Sequence, residues 1–233
     1  MEQSEEQIYG KATYAEVEHR LREYHSSRKG ETEHFEADIV STRISSILQT
    51  ESFAFAPPML RHIHRHLFDG VVQGRLGRTV AADQSDRRRS LFSEGYSVSY
   101  APFHLVREML DYDFGQEKER QARYPQTGRH EIASSAFGFV SGLWQIHPFR
   151  EGNTRTTAVF AILYFRQLGF TISDEPFASN AQYFQDALVL DNTFDPDFKN
   201  PAPLRRFMEK MLFDPSIELK DLREAPSPIR NGR

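Results

Sequence analysis

Large apolar side chains recur at helical spacing along almost the whole chain, and this period limits the possible fold more than any other feature. Leu60, Ile63, Leu67 and Phe68 form one stripe, and Phe103, Val106, Leu110 and Phe114 form another. Ile132, Ala136, Val140 and Leu143 form a third. Steps of three and four residues place such side chains on one helix face, which must be covered by another helix. Thr13-Tyr14-Ala15-Glu16 is a capping box opening a helix that fades near His25. A second helix carries Phe35, Ile39, Ile44, Ile47 and Leu48 to about Gln49, and Pro57-Pro58 starts a third. Others are expected from about Thr154 to Leu168 with Gly169 as the stop, from Asn180 to Leu190, and from Pro203 to Phe213.

One stretch breaks the period. Between Asp69 and Tyr100 lie Gly70, Gly74, Gly77 and Gly95, the run Arg87-Arg88-Arg89, and the alternation Tyr96-Ser97-Val98-Ser99-Tyr100. This pattern predicts a loop leading into a short β-hairpin that turns near Glu94-Gly95. The expected fold class is all-α, a helical bundle with one hairpin. Its expected parts are an N-terminal helical segment (1–56), a core domain (57–213) and a loose C-terminal tail (214–233) containing Pro215, Pro226 and Pro228.

Composition removes several kinds of chemistry. The chain has no cysteine, which excludes disulfides, thiolate catalysis and thiolate metal sites. Its net charge of −4 provides no basic field, so no nucleic-acid partner is expected. Met1 to Tyr9 is acidic and lacks the apolar run of a signal peptide, and no stretch approaches the roughly 18 apolar residues of a membrane span. A soluble, cytoplasmic protein with no membrane partner is the expectation. Nineteen Phe and nine Tyr imply a core filled largely by rings. His62 and His66, four residues apart, could share a metal, but with no clear third ligand a solvated or capping pair is expected.

The chemistry concentrates in His147-Pro148-Phe149-Arg150-Glu151-Gly152-Asn153-Thr154-Arg155-Thr156, between two predicted helices. Pro148 disfavours continued helix at His147, so the first helix should end by Ile146. Gly152 supplies backbone freedom, and Asn153 is expected to N-cap the second helix. Free N–H groups in such a loop, backed by a helix dipole, make an anion site, and Arg155 can reach the same anion. Glu151 beside phosphates suits Mg²⁺, and His147 suits a general base. Together these residues point to phosphoryl or nucleotidyl transfer.

This segment resembles the core motif of the Fic/Doc family, His-x-Phe-x-(Asp/Glu)-Gly-Asn-(Gly/Lys)-Arg-x-x-Arg. The resemblance extends to His64-Arg65-His66-Leu67-Phe68-Asp69-Gly70, the Gly-rich stretch to Arg78, and Trp144-Gln145-Ile146. It implies a Fic-type helical bundle that acts as a protein adenylyltransferase, moving AMP from ATP to a Ser, Thr or Tyr hydroxyl of a target protein. His147 would be the base, Glu151 would hold Mg²⁺, and Gly152, Asn153, Thr154 and Arg155 would bind the phosphates. Tyr96, Ser97, Val98, Ser99 and Tyr100 would form the flap that docks the target by strand addition. On weaker similarity, Asn180 and Tyr183 would lie on the adenosine side.

The sequence also departs from the family pattern. The motif's second Arg is replaced by Ala158, and Thr154 stands where Gly or Lys is usual. In the family that Arg pairs with an inhibitory Glu, carried in cis or by a small antitoxin. Here Ser41-Thr42-Arg43-Ile44-Ser45-Ser46 places Ser45 at the Glu position, so the usual Glu switch is expected to be missing. Ser90-Leu91-Phe92-Ser93-Glu94-Gly95 matches the inhibitory motif literally but is better explained as a hairpin turn. Besides the target protein, a small antitoxin or self-association is a conceivable partnership. The competing functions are a Doc-like kinase, disfavoured by Thr154 in place of Lys, and a degenerate, non-catalytic Fic domain, favoured by Ala158 and opposed by His147, Glu151 and Asn153.

Overall fold

A computed structural model describes residues 13–27, 35–50, 52–71 and 98–223. Among these, the helices are α1 (Tyr14–Ser27), α2 (Phe35–Thr50), α3 (Pro57–Phe68), α4 (Val106–Gln121), α5 (Arg129–Ile146), α6 (Asn153–Gln167), α7 (Glu175–Ser179), α8 (Ala181–Asn192) and α9 (Ala202–Leu212). Short 3₁₀ turns at Phe103–Leu105 and Tyr124–Gln126 flank α4. The capping box is present, with the Thr13 N–H donating to Glu16 Oε2 at 2.7 Å and the Glu16 N–H donating to Thr13 Oγ1 at 3.3 Å. α7 was not expected from the sequence: five residues are too few to show a period.

α6 is the central helix. Every residue from Val159 to Phe165 is buried, so it has no solvent face over those two turns. α5 packs along one side of it, and α2 and α3 along the other. α4 lies against α5, and α8 and α9 cover the remaining face of α5. Rings fill the space between them. Phe55 meets Phe114 from α4, Phe139 from α5 and Tyr164 from α6, with centroids 4.9, 5.5 and 4.8 Å away. Phe53 meets Phe160 edge-on at 5.2 Å. Both side chains precede the expected boundary at residue 57, so the segment before α3 is part of the same core.

A buried carboxylate ties α4 to α6 and to the 3₁₀ turn that follows α4. Glu117 on α4 accepts hydrogen bonds from the phenols of Tyr164 on α6 and Tyr124, and pairs with Arg120 at 2.7 Å. Burial and the adjoining carboxylate push the Tyr124 phenol up to about 12. Full satisfaction by donors is what allows a carboxylate to sit in this interior.

Two expectations about the periphery need correction or fall outside the described residues. The segment after α9, expected to be loose, is pinned as far as Arg223. Lys210 Nζ donates to the carbonyls of Pro215 and Ile217, Arg206 donates to that of Glu218, and Leu219 and Leu222 pack on the core. The hairpin turn at Glu94-Gly95, the Arg87–Arg89 run, Tyr96 and Ser97 lie outside the described residues. Of the flap, Val98 forms an isolated antiparallel bridge with Thr193. Among the described residues no helix is long and apolar enough to cross a membrane.

Candidate active site

The loop between α5 and α6 is shaped by three local constraints. α5 stops at Ile146 as Pro148 requires, and His147 takes a left-handed backbone (φ 54°, ψ 58°) while its N–H still bonds the Trp144 carbonyl at 3.1 Å. A non-glycine residue in that region is uncommon and strained, and such positions concentrate at functional sites. Gly152 is also left-handed (φ 74°), and a Cβ there would meet two ring carbons of Phe68 at 2.5 Å. Only glycine fits against that ring.

Asn153 provides the third constraint, and it is not the N-cap expected from the sequence. Gly152 occupies the cap position, and the Asn153 side chain turns back across the loop. The Phe149 N–H donates to Asn153 Oδ1 at 3.0 Å, and Asn153 Nδ2 donates to the Phe149 carbonyl at 2.6 Å. This buried, reciprocal pair satisfies both backbone groups of Phe149 and closes the loop into a ring. The first N–H groups of α6 therefore gain no side-chain cap. They are the groups a bound anion can use.

Neighbouring side chains brace the same loop. Trp144 Nε1 donates to Thr154 Oγ1 at 3.0 Å, bolting the end of α5 to the start of α6. On the opposite side the His64 ring from α3 stacks on Phe149 with centroids 4.0 Å apart, and its Nε2 lies 3.1 Å from the Glu151 carbonyl. A carbonyl can only accept, so His64 Nε2 carries the proton. Burial holds the His64 pKa below its ordinary value, the Glu151 hydrogen bond opposes that shift, and the nearby Arg155 charge reinforces it.

These residues surround a cleft of about 490 Å³. His147, Glu151, Gly152, Asn153, Thr154 and Arg155 all line it, as do Val98, Tyr100 and Arg150. The His147 imidazole is nearly buried, with the Tyr100 ring stacked on it at 3.9 Å and the Trp144 ring edge-on at 5.9 Å. Ser99 is held to α5 by a long Gln145 contact of 3.5 Å. Asn180 and Tyr183 do not line the cleft. Asn180 Nδ2 donates to the Pro176 carbonyl, and the Tyr183 phenol is buried against the Pro203 carbonyl. α8 contributes instead Ala181, Gln182, Gln185 and Val189. A one-residue rotation of 100° separates the expected face from the observed one, and the 3- and 4-residue spacing of Gln182, Gln185 and Val189 was the signal available.

Arg155 is not idle. Its guanidinium lies over the Phe68 ring at 4.7 Å, and Nη2 pairs with Glu36 Oε1 of α2 at 2.6 Å. The N-terminal segment thus does reach the motif with a carboxylate, although Ser45 occupies the position where one was sought. Ala158, in place of the second Arg, packs partly buried against the core. Among the described residues no three His, Cys, Asp or Glu converge as a metal cage, and His62 and His66 stand with ring centroids 6.5 Å apart. Glu151 is one exposed carboxylate beside an anion nest, a donor set that suits a metal completing its shell with phosphates and water.

A buried imidazole and a helix-terminal anion nest on one cleft of a helical scaffold form an arrangement that group transfer on phosphate-bearing substrates can use. Residues 54–165 match the model of the Fic/DOC family, and the chain carries a domain of that family. It is 26% identical over 188 residues to a probable protein adenylyltransferase, y4lH, of Sinorhizobium fredii, an overlap of 79% of this chain and 86% of that protein. Solved structures share the fold. BepC, a VirB-translocated effector of Bartonella tribocorum with bound AMPPNP, superposes with a TM-score of 0.60 at 18% identity, covering 79% of this chain and 87% of that one. The N-terminal FIC domain of Bep8 from Bartonella sp. 1-1C gives 0.58 at 17% identity, covering 85% and 89%.

Proposed function

We propose that this protein is an ATP-dependent protein adenylyltransferase, with His147 as general base. The observation that carries this reading is the placement of His147 and the Gly152–Arg155 nest on the same cleft, beside the Val98–Tyr100 segment. A target segment pairing with that segment would bring a hydroxyl to the imidazole. His147 accepts the hydroxyl proton as the oxygen bonds to the α-phosphorus, and the bond from that phosphorus to the β-phosphate oxygen breaks. AMP remains on the target and pyrophosphate leaves. The backbone N–H groups at the start of α6 and the Arg155 guanidinium hold the departing charge. Glu151 would hold Mg²⁺, which when bound supplies charge neutralisation between the phosphates. Thr154 has its hydroxyl engaged by Trp144 and offers no ammonium, which disfavours the inverted nucleotide of a Doc-like kinase.

ATP labelled at the α- or the γ-phosphate, incubated with cell lysate and Mg²⁺, tests this directly. Protein labelling from α-labelled ATP alone, lost in His147→Ala, is the expected result. Labelling from γ-labelled ATP alone would make the protein a kinase, and none from either would favour the non-catalytic reading.

A further inference from the structure

The far wall of the cleft, formed by α8, carries a side-chain relay that the transfer chemistry does not use. Asp186, on the second turn of α8, is 1% exposed, which for a carboxylate requires partners. Arg223, at the end of the pinned C-terminal segment, supplies them: Nε donates to Oδ2 at 2.8 Å and Nη2 to Oδ1 at 3.2 Å. A third donor completes the set. Gln182 Nε2, one turn earlier on α8, reaches Asp186 Oδ1 at 2.8 Å.

This arrangement removes an ambiguity that glutamine amides normally carry. An amide can present either its oxygen or its NH₂, and the two ends differ little in shape. A carboxylate clamped by a guanidinium only accepts, so it fixes the Gln182 NH₂ toward α8. The Oε1 acceptor and the second N–H are left for the cleft that Gln182 lines. Val189, Ala181 and Val98 line the same cleft and offer apolar surface for a flat ring.

We propose that Gln182, held in one orientation by Asp186 and Arg223, reads the nucleobase and selects a 6-amino purine over a 6-keto purine. An acceptor beside a donor on one planar amide matches the exocyclic amine and ring nitrogen of adenine. Guanine and hypoxanthine place a carbonyl where the amine would be, and two acceptors then face each other. A free amide would flip to relieve that clash, whereas this one cannot without opposing a carbonyl to the Asp186 carboxylate. Asp186 and Arg223 are positioning residues, acting through Gln182.

The inference rests on the nucleotide reading of the cleft, and one calorimetric series on the full chain with Mg²⁺ separates the two. The ligands are ATP, GTP and inorganic tripolyphosphate. Wild type should prefer ATP over GTP by on the order of tenfold or more, the scale of one base-edge amide contact. Gln182→Ala should reduce that preference to within a few-fold and leave tripolyphosphate affinity unchanged. Asp186→Ala should reduce the preference to within a few-fold, because the Gln182 amide, no longer bonded to a carboxylate, is free to turn. A merely structural role for Asp186 would weaken both nucleotides equally. An unchanged ATP:GTP ratio in Gln182→Ala overturns the proposal, and because Gln182 is exposed this arm stands even if Asp186→Ala does not fold. If folded wild type binds none of the three ligands, the nucleotide reading fails and this inference with it.

Discussion

Replacing Glu36 by Gln should tighten nucleotide binding, by an amount the geometry bounds. Arg155 Nη2 sits 2.6 Å from Glu36 Oε1, and the two side chains are 42% and 41% exposed. A pair that open to water has most of its attraction screened, and such pairs contribute about 0.2–1 kcal/mol. A phosphate arriving at the nest must draw Arg155 away from this carboxylate, so removing the charge returns that energy to the ligand. The expected gain in affinity for a non-hydrolysable ATP analogue is about 1.4- to 5-fold. It should shrink with added salt, since the competing attraction is screened. The guanidinium keeps its seat over Phe68 in the variant, because that contact does not involve Glu36. Titration calorimetry on wild type, Glu36→Gln, Arg155→Ala and the double variant closes the cycle. Glu36→Gln should have no effect once Arg155 is gone. Equal affinities for wild type and Glu36→Gln, or the same gain without Arg155, would refute the competition.

Three further perturbations follow from the loop. Gly152→Ala puts a Cβ 2.5 Å from two carbons of Phe68 on a left-handed backbone; it should lower stability by about 1–3 kcal/mol, seen as a drop in Tm, and weaken nucleotide binding as the ring beneath Arg155 shifts. Asn153→Ala leaves the Phe149 N–H and carbonyl without their partners and should cost about 1–3 kcal/mol, read as a lower urea midpoint at unchanged slope. His64 is held neutral in the fold, so the unfolded chain binds the extra proton first. Stability should therefore fall as pH drops through about 6.5, the ordinary histidine value. A His64→Gln variant, which keeps a donor for the Glu151 carbonyl, should flatten that part of the pH–stability curve.

The bundle and the loop between α5 and α6 were legible in the sequence because their signals are local. Pro148 ends α5 where expected, Gly169 follows the end of α6 (φ 79°), and the stripes of α3 to α5 are mostly buried, apart from the exposed Phe103 before α4 and the partly covered Ile132. What escaped depends on distance or on a choice between equal local chemistries. Glu36 meets Arg155 across 119 residues of chain, and no period announces such a pair. Glu117 sits on a helix rich in charge and reads as a solvated residue until a phenol from α6 and one from the following 3₁₀ turn surround it. Asn153 has the residue type of an N-cap, and the same amide can instead grip a backbone four residues earlier. Arg223 follows a proline-bearing, weakly apolar stretch, so its anchoring by a buried aspartate had no local sign. On α8 the helix was visible, but which face met the cleft was fixed only by packing.

The stack of Tyr100 on His147 makes two properties of the protein one quantity. Tyr100 follows by two residues the Val98 that is bridged to Thr193, and its ring covers the His147 imidazole at 3.9 Å. Any ligand that shifts this segment also changes what lies against His147. By reciprocity, a change at the imidazole must then alter the segment's affinity for that ligand by the same factor. Under the proposed function, target affinity would therefore report on the state of His147 without a single turnover.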